Sequence, residues 1–302
     1  MNEYITYAII VTYNPEMDLL EKQYHSLCNQ VSGIVYIDNG SENIERIKQF
    51  LLSCSRIYYE FNSNNVGLGA AQNQGIEKAF ELGANHILLL DQDSVLEGNT
   101  VEKLQDSEEK LLLEHKVGLV SPALSNITDN KIFSVEKYIN SKRFKIMPAG
   151  DFPVEASFLS ASGSLIQKDV LLDIGLMDEG LFIDFIDRDW CARASAKGYH
   201  LFVIPSTKIN HTVGDKRIKF LWIDMAYHSP LRRYYTCRGS IIFFKRKYYS
   251  FGLRLQFLLG TIIRTVIMIV SQRKRKAFFI YSVQGFIDGM KNMKGAYQDK
   301  KS

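Results

Sequence analysis

The run from Ile87 to Leu90 contains only apolar residues and ends abruptly at Asp91-Gln92-Asp93-Ser94. A short run of this kind is typical of a strand that is buried on both faces, as the strands of parallel sheets are. The two acids would then lie at the carboxyl end of the strand, which is the edge where open α/β sheets bind ligands. Paired carboxylates suit hard cations such as Mg²⁺ and Mn²⁺. An acidic turn that caps a helix is the alternative, and these four residues alone leave both open.

Apolar runs and helical patterns alternate through the first two hundred residues. This alternation favours βαβ units and a mainly parallel sheet. Because each early strand is followed by polar residues, we expect Thr12-Tyr13-Asn14 and Asp38-Asn39 to face one crevice. The predicted strands cover 7–11, 33–37, 57–61, 117–122, 154–160 and 200–205; the predicted helices cover 17–27, 100–115 and 188–197; and surface loops and edge strands are predicted over 126–151.

The segment from Asn65 to Gly75 places Gly67 and Gly69 before a helix, followed by Asn73. Glycines at such a turn let backbone amides approach a ligand closely. The pattern is similar to half of a dinucleotide-binding fingerprint, but its third glycine is misplaced, so it is weak as a Rossmann signal. Taken alone, the segment favours the structural alternative, which is a tight turn with a close helix–strand contact.

The segment from Leu181 to Trp190 sets Asp184, Asp187 and Asp189 among aromatic residues. Acids in such surroundings are either paired or have raised pKa values, and both conditions are frequent at catalytic sites. A carboxylate held in an apolar pocket is a candidate general base. The alternative is a set of acids that stabilise the dipole of the following helix, which fits Asp189 well and Asp187 less well.

Two further segments are candidate parts of a site. The turn from Ala161 to Ser164 consists of small residues, which permit close approach of a substrate. His211 follows a predicted strand, where a lone histidine is more often a hydrogen-bonded structural residue. It becomes a candidate metal ligand only if Asp93 lies nearby.

The net charge of +4 conceals a strong asymmetry. Residues 216–302 contain 19 Lys and Arg but three Asp and Glu, a net charge of +16, whereas residues 1–215 contain 18 and 30, a net charge of −12. This contrast predicts one domain over 1–215 and a second, basic module over 216–302, with an anionic partner for the module. Four scattered cysteines and a start without a signal-peptide pattern favour a reduced, cytoplasmic protein.

Residues 255–271 are almost long and apolar enough to span a bilayer, but Arg264 near the middle would be costly there. We favour an amphipathic helix in the plane of a membrane surface, with the basic runs 245–247 and 273–276 on anionic lipid headgroups. The alternative is a group of helices that pack on the first domain with solvated basic faces. Nucleic-acid binding is disfavoured, because no recognition motif accompanies the charge.

Taken together and in order, these motifs resemble those of the inverting family 2 glycosyltransferases, and most of all those of bacterial rhamnosyltransferases. The resemblance extends from about residue 8 to residue 214. It implies an α/β fold of the GT-A type, in which a Rossmann-like, mainly parallel mixed sheet is flanked by helices, followed here by the C-terminal helical, basic module. The Asp-Gln-Asp-Ser form at 91–94 and the run from Tyr227 to Tyr235 point to the rhamnosyl subgroup.

The resemblance also implies roles for individual residues. Asp187 would be the catalytic base; many relatives carry Glu-Asp where this chain has Ile186-Asp187, so the role falls to Asp187 alone. A divalent metal, Mg²⁺ or Mn²⁺, would be held by Asp93, with Asp91 and His211 as further candidate ligands. The acceptor or sugar would contact Ser162, Gly163, Asp184, Asp189 and Trp190. The sugar nucleotide would contact Thr12, Tyr13, Asn14, Asp38, Asn39, Asn65, Gly67, Gly69, Asn73, Asp91 and Gln92.

The implied reaction is transfer of L-rhamnose from dTDP-L-rhamnose to a lipid-linked cell-surface polysaccharide, such as an O-antigen or capsule. A peripheral location at the inner face of the plasma membrane would suit that acceptor. The open alternatives are another donor, UDP-galactofuranose or UDP-glucose, and a sugar-nucleotide-binding protein without catalysis, against which the acids at 91, 93 and 187 argue. No nucleic-acid partner is expected, and a homodimer is left open.

Overall fold

The structure, a computed structural model, describes residues 4–126, 131–211, 217–220 and 223–298, and the side chains of these ranges outside residues 211–226. Its strands are β1 (Thr6–Thr12), β2 (Gly33–Asp38), β3 (Ile57–Phe61), β4 (His86–Asp91), β5 (Ser94–Leu96), β6 (Val117–Asn126), β7 (Val135–Ile139), β8 (Lys142–Ile146), β9 (Val154–Ala156), β10 (Ser164–Gln167), β11 (His200–His211), β12 (Arg217–Phe220) and β13 (Ile223–Ala226). Its helices are α1 (Met17–Leu27), α2 (Ile44–Leu52), α3 (Leu68–Glu81), α4 (Thr100–Leu112), α5 (Lys168–Ile174), α6 (Ile186–Ala196), α7 (Pro230–Lys245), α8 (Phe251–Ser271) and α9 (Arg275–Met290), with a 3₁₀ turn at Glu179–Leu181.

Nine of the strands form one sheet in the order β3-β2-β1-β4-β10-β6-β11-β5, with β9 paired to β11. The block from β3 to β4 is parallel throughout, and β11 is parallel to β6. β10 runs antiparallel between β4 and β6, while β5 and β9 are antiparallel to β11. The predicted α/β class, with a central sheet that is parallel in its first half and flanked by helices, is confirmed.

Both faces of the sheet are covered, which explains why its strands are continuous apolar runs. Ile9 and Leu89 face one core, which is shared with α3, α5 and α6. Their neighbours Ala8 and Leu88 face the other core, which is shared with α1, α2 and α4. Successive residues of a strand point to opposite faces, so a run that is apolar at every position is buried on both sides.

Several predicted boundaries differ from the structure. β9 stops at Ala156 instead of Ser160, and the chain then turns into β10, an antiparallel strand that the apolar pattern did not predict. α6 begins at Ile186, two residues before its predicted start. The polar segment 126–151 contains the hairpin of β7 and β8, in agreement with the edge strands predicted there.

The basic segment forms α7, α8 and α9, so the predicted C-terminal helices are confirmed. α7 packs against α8 and α9. α7 also contacts the segment before α6, because Arg238 donates to the Gly180 carbonyl at 3.1 Å. Arg246, which follows α7, pairs with Asp178 of that segment and with Asp189 of α6. The predicted boundary near residue 215 lies among residues 212–216, outside the described part of the chain, and the division into two domains stays a prediction.

Replacing Arg246 by methionine should destabilise the protein by about 3 kcal/mol, because Asp189 is fully buried and would lose one of its two cationic partners. Urea unfolding of the purified chain measures this change. Arg273→Met, at an exposed position after α8, is the matched control and should change the free energy of unfolding by less than about 0.5 kcal/mol. Equal stability of the two variants would contradict a structural role for the Arg246 ion pairs.

Candidate functional site

The carboxyl ends of β1, β2 and β4 lie side by side at one edge of the sheet. Their pairing places Thr12 beside Asp38 and Val11 beside Asp91. Parallel strands deliver the residues that follow them to the same edge, where α/β sheets bind ligands. The polar strand ends therefore meet in one crevice, as their positions in the sequence predicted.

Asp38 builds the turn that follows β2. It is 1% exposed, and its carboxylate accepts hydrogen bonds from Thr12 Oγ1 at 2.9 Å and from the amides of Gly40 and Ser41 at 3.2 and 2.9 Å. The Ser41 hydroxyl accepts a hydrogen bond from the Asn14 amide at 2.7 Å, which ties the loop after β1 to the same turn. Any contact of Asp38 with a nucleotide would come in addition to these bonds.

Tyr13 and Gln92 join the loops after β1 and β4. The Tyr13 amide donates to Gln92 Oε1 at 2.8 Å, and Gln92 Nε2 donates to the Tyr13 carbonyl at 3.3 Å. The Tyr13 side chain is 48% exposed beside this pair. An exposed aromatic ring at the rim of a crevice offers a face on which a planar base can stack.

Ser162 and Gly163 brace the end of β4. The Asp91 amide donates to Ser162 Oγ at 3.1 Å, and Ser162 Oγ also lies 2.8 Å from Ser94 Oγ. Gly163 adopts a φ of +87° and donates its amide to the Leu89 carbonyl at 2.7 Å. Both residues were predicted to contact substrate; Ser162 is 3% exposed, and the structure places the pair behind the strand end that carries Asp91.

Asn39 and Asn65 fix the turn before α3. Asn39 Nδ2 donates to Asn65 Oδ1 at 3.1 Å, and Asn39 Oδ1 accepts from the Val66 amide at 2.9 Å. Asn65 Oδ1 also accepts from the Gly67 amide at 2.9 Å. The two asparagines thereby attach the glycine-rich turn to the end of β2.

Gly67 and Gly69 allow α3 to approach the segment that follows α5. A Cβ on Gly67, whose φ is +97°, would lie 2.9 Å from the Phe182 carbonyl oxygen. A Cβ on Gly69 would lie 3.2 Å from the Asp178 carbonyl oxygen. These two glycines therefore make a close contact between α3 and a loop, and Gly75 of the same segment makes the close helix–strand contact that was the alternative explanation, against Ile9 on β1.

Asn73 completes this contact. Its side chain donates to the Met177 carbonyl at 3.0 Å and accepts from the Met177 amide at 2.9 Å, and it also donates to Glu179 Oε1 at 2.9 Å. Asn73 is 5% exposed, so its amide has no open face toward the crevice. The element from Asn65 to Asn73 therefore positions the segment that leads to Asp187.

Asp187 lies in the first turn of α6, close enough to Asp91 for their negative charges to interact. Burial, and then the negative charge of Asp91, raise the pKa of Asp187 to about 6, although the Ala161 backbone and the positive charge of Arg188 oppose the shift. A carboxyl group that titrates close to neutral pH is suited to general base catalysis. Its surroundings therefore give Asp187 the property that its predicted role requires.

Asp184 is held by α7. Its carboxylate accepts a hydrogen bond from the Thr236 hydroxyl and lies 3.5 Å from Arg232 Nε. The negative charge of Asp184 also contributes to the raised pKa of Asp187. Asp184 therefore lies near the crevice and connects it to the C-terminal helices.

Asp189 and Trp190 are not brought to the crevice. Asp189 is fully buried, and its two carboxylate oxygens pair with Arg193, at 2.9 Å, and with Arg246. Trp190 is 2% exposed and donates its indole N–H to the Gly175 carbonyl at 3.1 Å. The structure corrects the prediction that these two residues contact the acceptor or sugar, because both are occupied in anchoring α6.

The donor set at the end of β4 fits a hard divalent cation that shares its coordination with a ligand. Asp91 and Asp93 carry carboxylate oxygens, which are the ligands that such cations prefer, and the charge of Asp91 also raises the pKa of Asp187. No group of three or more metal-ligating side chains is found among the side chains that the structure describes. The His211 side chain lies outside them, while its backbone pairs with Ser94, next to Asp93.

Sequence reasoning missed the contacts that hold Arg188 beside Asp187. Arg188 donates to Glu136 at 3.2 Å and to the Tyr138 hydroxyl, both on β7, and its guanidinium lies 4.0 Å from the Phe158 ring centroid. Positions 136 and 138 share one face of a strand, so the period of two was a usable signal. Nothing in the sequence pattern indicated which helix that face would contact.

A sequence profile of the family described as Glycosyl transferase family 2 matches residues 7–175, and the dTDP-rhamnosyl transferase RfbF of Shigella flexneri is 31% identical over 293 residues, which is 96% of each chain. The chain belongs to glycosyl transferase family 2. The predicted family is thus confirmed for this glycosyltransferase. The similarity to RfbF agrees with the predicted resemblance to rhamnosyltransferases.

Solved structures of low identity share the fold of this glycosyltransferase. A structure of GalNAc-T7 with UDP, GalNAc and Mn²⁺ superimposes with a TM-score of 0.61 at 16% identity. The superposition covers 90% of this chain and 58% of that chain. A structure of S. aureus TarS 1-349 with UDP-GlcNAc gives a TM-score of 0.55 at 16% identity, with 94% of this chain and 81% of that chain covered.

The raised pKa of Asp187 predicts a pH-dependent effect on stability. A carboxyl group with a raised folded pKa contributes stability that is full below its unfolded pKa near 4 and is lost as the pH rises through about 6. Asp187→Asn should therefore stabilise the glycosyltransferase at pH 7.5, by up to about 3 kcal/mol, and the gain should approach zero at pH 4.

Urea unfolding at both pH values measures this gain. Asp106→Asn, at an exposed position of α4, is the matched control and should show no pH-dependent gain. A stabilisation of Asp187→Asn that is the same at both pH values, or a loss of stability at pH 7.5, would contradict the buried, charge-repelled state of Asp187.

Proposed function

We propose that this glycosyltransferase transfers L-rhamnose from dTDP-L-rhamnose to a lipid-linked cell-surface polysaccharide, with inversion at the anomeric carbon. The observation that carries the proposal is the position of Asp187 in the first turn of α6, where burial and then the negative charge of Asp91 raise its pKa to about 6. A protein that only binds a sugar nucleotide has no use for a carboxyl group poised near neutral pH at this place.

Asp187 would accept the proton of the attacking acceptor hydroxyl. The hydroxyl oxygen would form the new bond to the anomeric carbon while the bond to the nucleoside diphosphate breaks, so that one displacement inverts the configuration. General base catalysis of this kind typically contributes about a hundredfold to ten-thousandfold. Asp184, held by Thr236 and Arg232, would orient the acceptor or the sugar.

The donor nucleotide would occupy the ends of β1, β2 and β4. The Tyr13 ring would stack on the base, and the turn built by Asp38 would surround the nucleoside. Asp91 and Asp93, with His211 as a further candidate, would hold Mg²⁺ or Mn²⁺ beside the diphosphate. The cation would supply neutralisation of the charge that develops on the leaving group.

The choice of dTDP-L-rhamnose rests on the name of the RfbF relative. The same geometry would serve UDP-galactofuranose or UDP-glucose. The features described above would bind a diphosphate and either pyrimidine base, thymine or uracil. Thermal shift and donor hydrolysis with these three sugar nucleotides, each with Mg²⁺, Mn²⁺ or EDTA, test the donor. Stabilisation by the UDP-sugars but not by dTDP-L-rhamnose would overturn the rhamnosyl proposal.

With the preferred donor, Asp187→Asn should lower turnover by about a hundredfold or more while leaving donor affinity within about threefold. The reason is that the base acts on the acceptor hydroxyl and not on the nucleotide. A radiolabelled-sugar transfer assay measures turnover, and Asp106→Asn should behave as the native chain does. Near-normal transfer by Asp187→Asn would remove Asp187 from the role of base.

We further propose that α8 and α9 lie on an anionic membrane surface at the cytoplasmic side of the plasma membrane. Among the described residues, α8 is the one helix long and apolar enough to cross a membrane by length and composition. It buries Leu253, Ile267 and Met268 against the protein, which supports a position along the surface. The exposed apolar residues of the two helices are Phe251, Leu259, Ile262, Ile263, Val266, Val270, Phe279, Ile280, Val283 and Met290.

The run from Arg273 to Lys276 is exposed between these two apolar faces. Basic residues beside an apolar helix face match the composition of a surface rich in anionic lipid. A lipid-linked acceptor would be presented at such a surface, close to the crevice that α7 connects to these helices.

The glycosyltransferase should sediment with vesicles of phosphatidylcholine and phosphatidylglycerol, and less with phosphatidylcholine alone or at high salt. The double variant Ile263→Gln and Val266→Gln should weaken this binding by about tenfold or more, because both side chains would leave the apolar phase. Leu113→Gln with Leu172→Gln, which alters two exposed apolar residues elsewhere, is the matched control. No binding to anionic vesicles at moderate salt, or an equal loss in the control, would refute the membrane proposal.

A further inference from the structure

Arg233 is a buried cation at the start of α7. It lies in the first turn of α7 and is 3% exposed. Its Nε is buried without a hydrogen-bond partner, and within the described part of the chain its guanidinium takes part in no hydrogen bond or ion pair. Arginine keeps its charge and carries five N–H donors, so burial without an acceptor is unfavourable.

The charges that face Arg233 do not neutralise it. Burial lowers the pKa of Arg233, and the positive charge of Arg232 lowers it further, while the Cys237 thiol and Asp184 raise it. The Asp184 carboxylate already pairs with Arg232 and accepts from Thr236. One shared carboxylate therefore faces two arginines at the start of α7.

A third arginine approaches from α8. Partial desolvation, and then the positive charges of Arg143, Arg233 and Arg188, lower the pKa of Arg264, while Glu136 raises it, so the charge of Arg233 reaches Arg264. Arg143 and Arg188 are both paired with Glu136. Arg233 and Arg264 form no such ion pair in the described residues, and together they leave an excess of positive charge between α7 and α8.

This excess lies between two features of the molecule. On one side is Asp184, whose charge reaches Asp187. On the other side is an open groove between β8 and α8, whose apolar lining includes Phe144, Leu255 and Leu259 and which Arg143 borders. A ligand at the arginines could extend toward the crevice, toward the apolar groove, or toward both.

We propose that Arg233, together with Arg232 and Arg264, forms a binding site for a phosphate or diphosphate group. The planar fork of a guanidinium matches phosphate oxygens in two parallel hydrogen bonds, which would satisfy the donors that the protein leaves open. The inference rests on the proposed function, in which two molecules carry this chemistry: the nucleoside diphosphate of the donor and the phosphate that links a glycan acceptor to its lipid.

Titration of inorganic diphosphate into the full chain in metal-free buffer with EDTA tests the site apart from any cation at Asp91 and Asp93. Arg233→Gln should raise the dissociation constant by about tenfold to a hundredfold, and Arg233→Lys by less, because lysine keeps the charge but not the fork. Arg264→Gln, at an exposed position, should weaken binding without a risk to folding. Lys110→Gln, at the end of α4 and so at the opposite edge of the sheet, should leave binding unchanged.

Unchanged binding in both Arg233→Gln and Arg264→Gln, or no binding of diphosphate by the native chain, would overturn the proposal. Should Arg233→Gln fail to show a normal thermal transition, Arg264→Gln decides alone. The test does not depend on turnover, so it separates this proposal from the proposed function. If the native chain transfers no sugar but its diphosphate affinity requires these arginines, the proposed function is refuted and the phosphate site is supported.

Two further titrations, both with Mg²⁺ present, identify the source of the phosphate. Weaker binding of dTDP to Arg233→Gln assigns the site to the donor. Weaker binding of a phosphorylated short-chain prenol, with dTDP affinity unchanged, assigns it to the acceptor and the groove beside α8. Unchanged affinity for both ligands would count against the site in the same way as unchanged diphosphate binding.

Discussion

The backbones of Gly67 and Phe182 meet without an intervening side chain. The Leu68 amide donates to the Phe182 carbonyl at 2.6 Å, and Phe182 itself adopts a φ of +70° at this contact. Because α3 also packs closely on β1, where a Cβ on Gly75 would overlap Ile9, the sheet edge and the segment that leads to Asp187 form one unit. The glycine-rich element therefore fixes the segment that leads to Asp187, the proposed base, relative to the sheet edge where the donor is proposed to bind, and it need not touch the donor to do so.

The pKa of Asp187 depends on where its neighbour Arg188 points. An arginine that paired with Asp187 directly would hold the pKa of that carboxyl group low and make it a poor base. Instead, Arg188 donates to Glu136 and Tyr138 on β7, so its charge opposes the shift only in part. The hairpin of β7 and β8, remote in sequence, thus preserves the basicity of the residue beside Arg188. This arrangement gives a polar surface segment a direct influence on the proposed chemistry.

The sequence was sufficient to predict the parallel strands and the crevice, because a run such as Ile87–Leu90 can be buried on two faces only in a covered sheet. It also singled out Asp187 and Asp91, whose negative charges interact in the structure, while their roles at the site stay predictions. The sequence could not distinguish residues that contact substrate from residues that hold the structure in place. An asparagine that binds the protein backbone, as Asn73 does, looks the same in a sequence as an asparagine that binds a ligand. Asp189 shows the same limit, because its partner Arg246 lies more than fifty residues away.

The basic residues of the C-terminal segment belong to two groups that a count of charges cannot distinguish, those bound within the protein and those open to a partner. Part of the positive charge in residues 216–302 is internal: Lys245 donates to the carbonyls of Gly289 and Met290 at the end of α9, and Arg254 donates to the Phe244 carbonyl at the end of α7. Cations bound to helix ends in this way stabilise the packing of the helices and are not available to a partner. The net charge of residues 216–302 therefore overestimates the electrostatic attraction between this segment and an anionic membrane. In the part of the segment whose side chains are described, the cations open to an external anion include the exposed run 273–276 and the guanidinium groups of Arg233 and Arg264, and these two sets would bind different parts of a lipid-linked substrate.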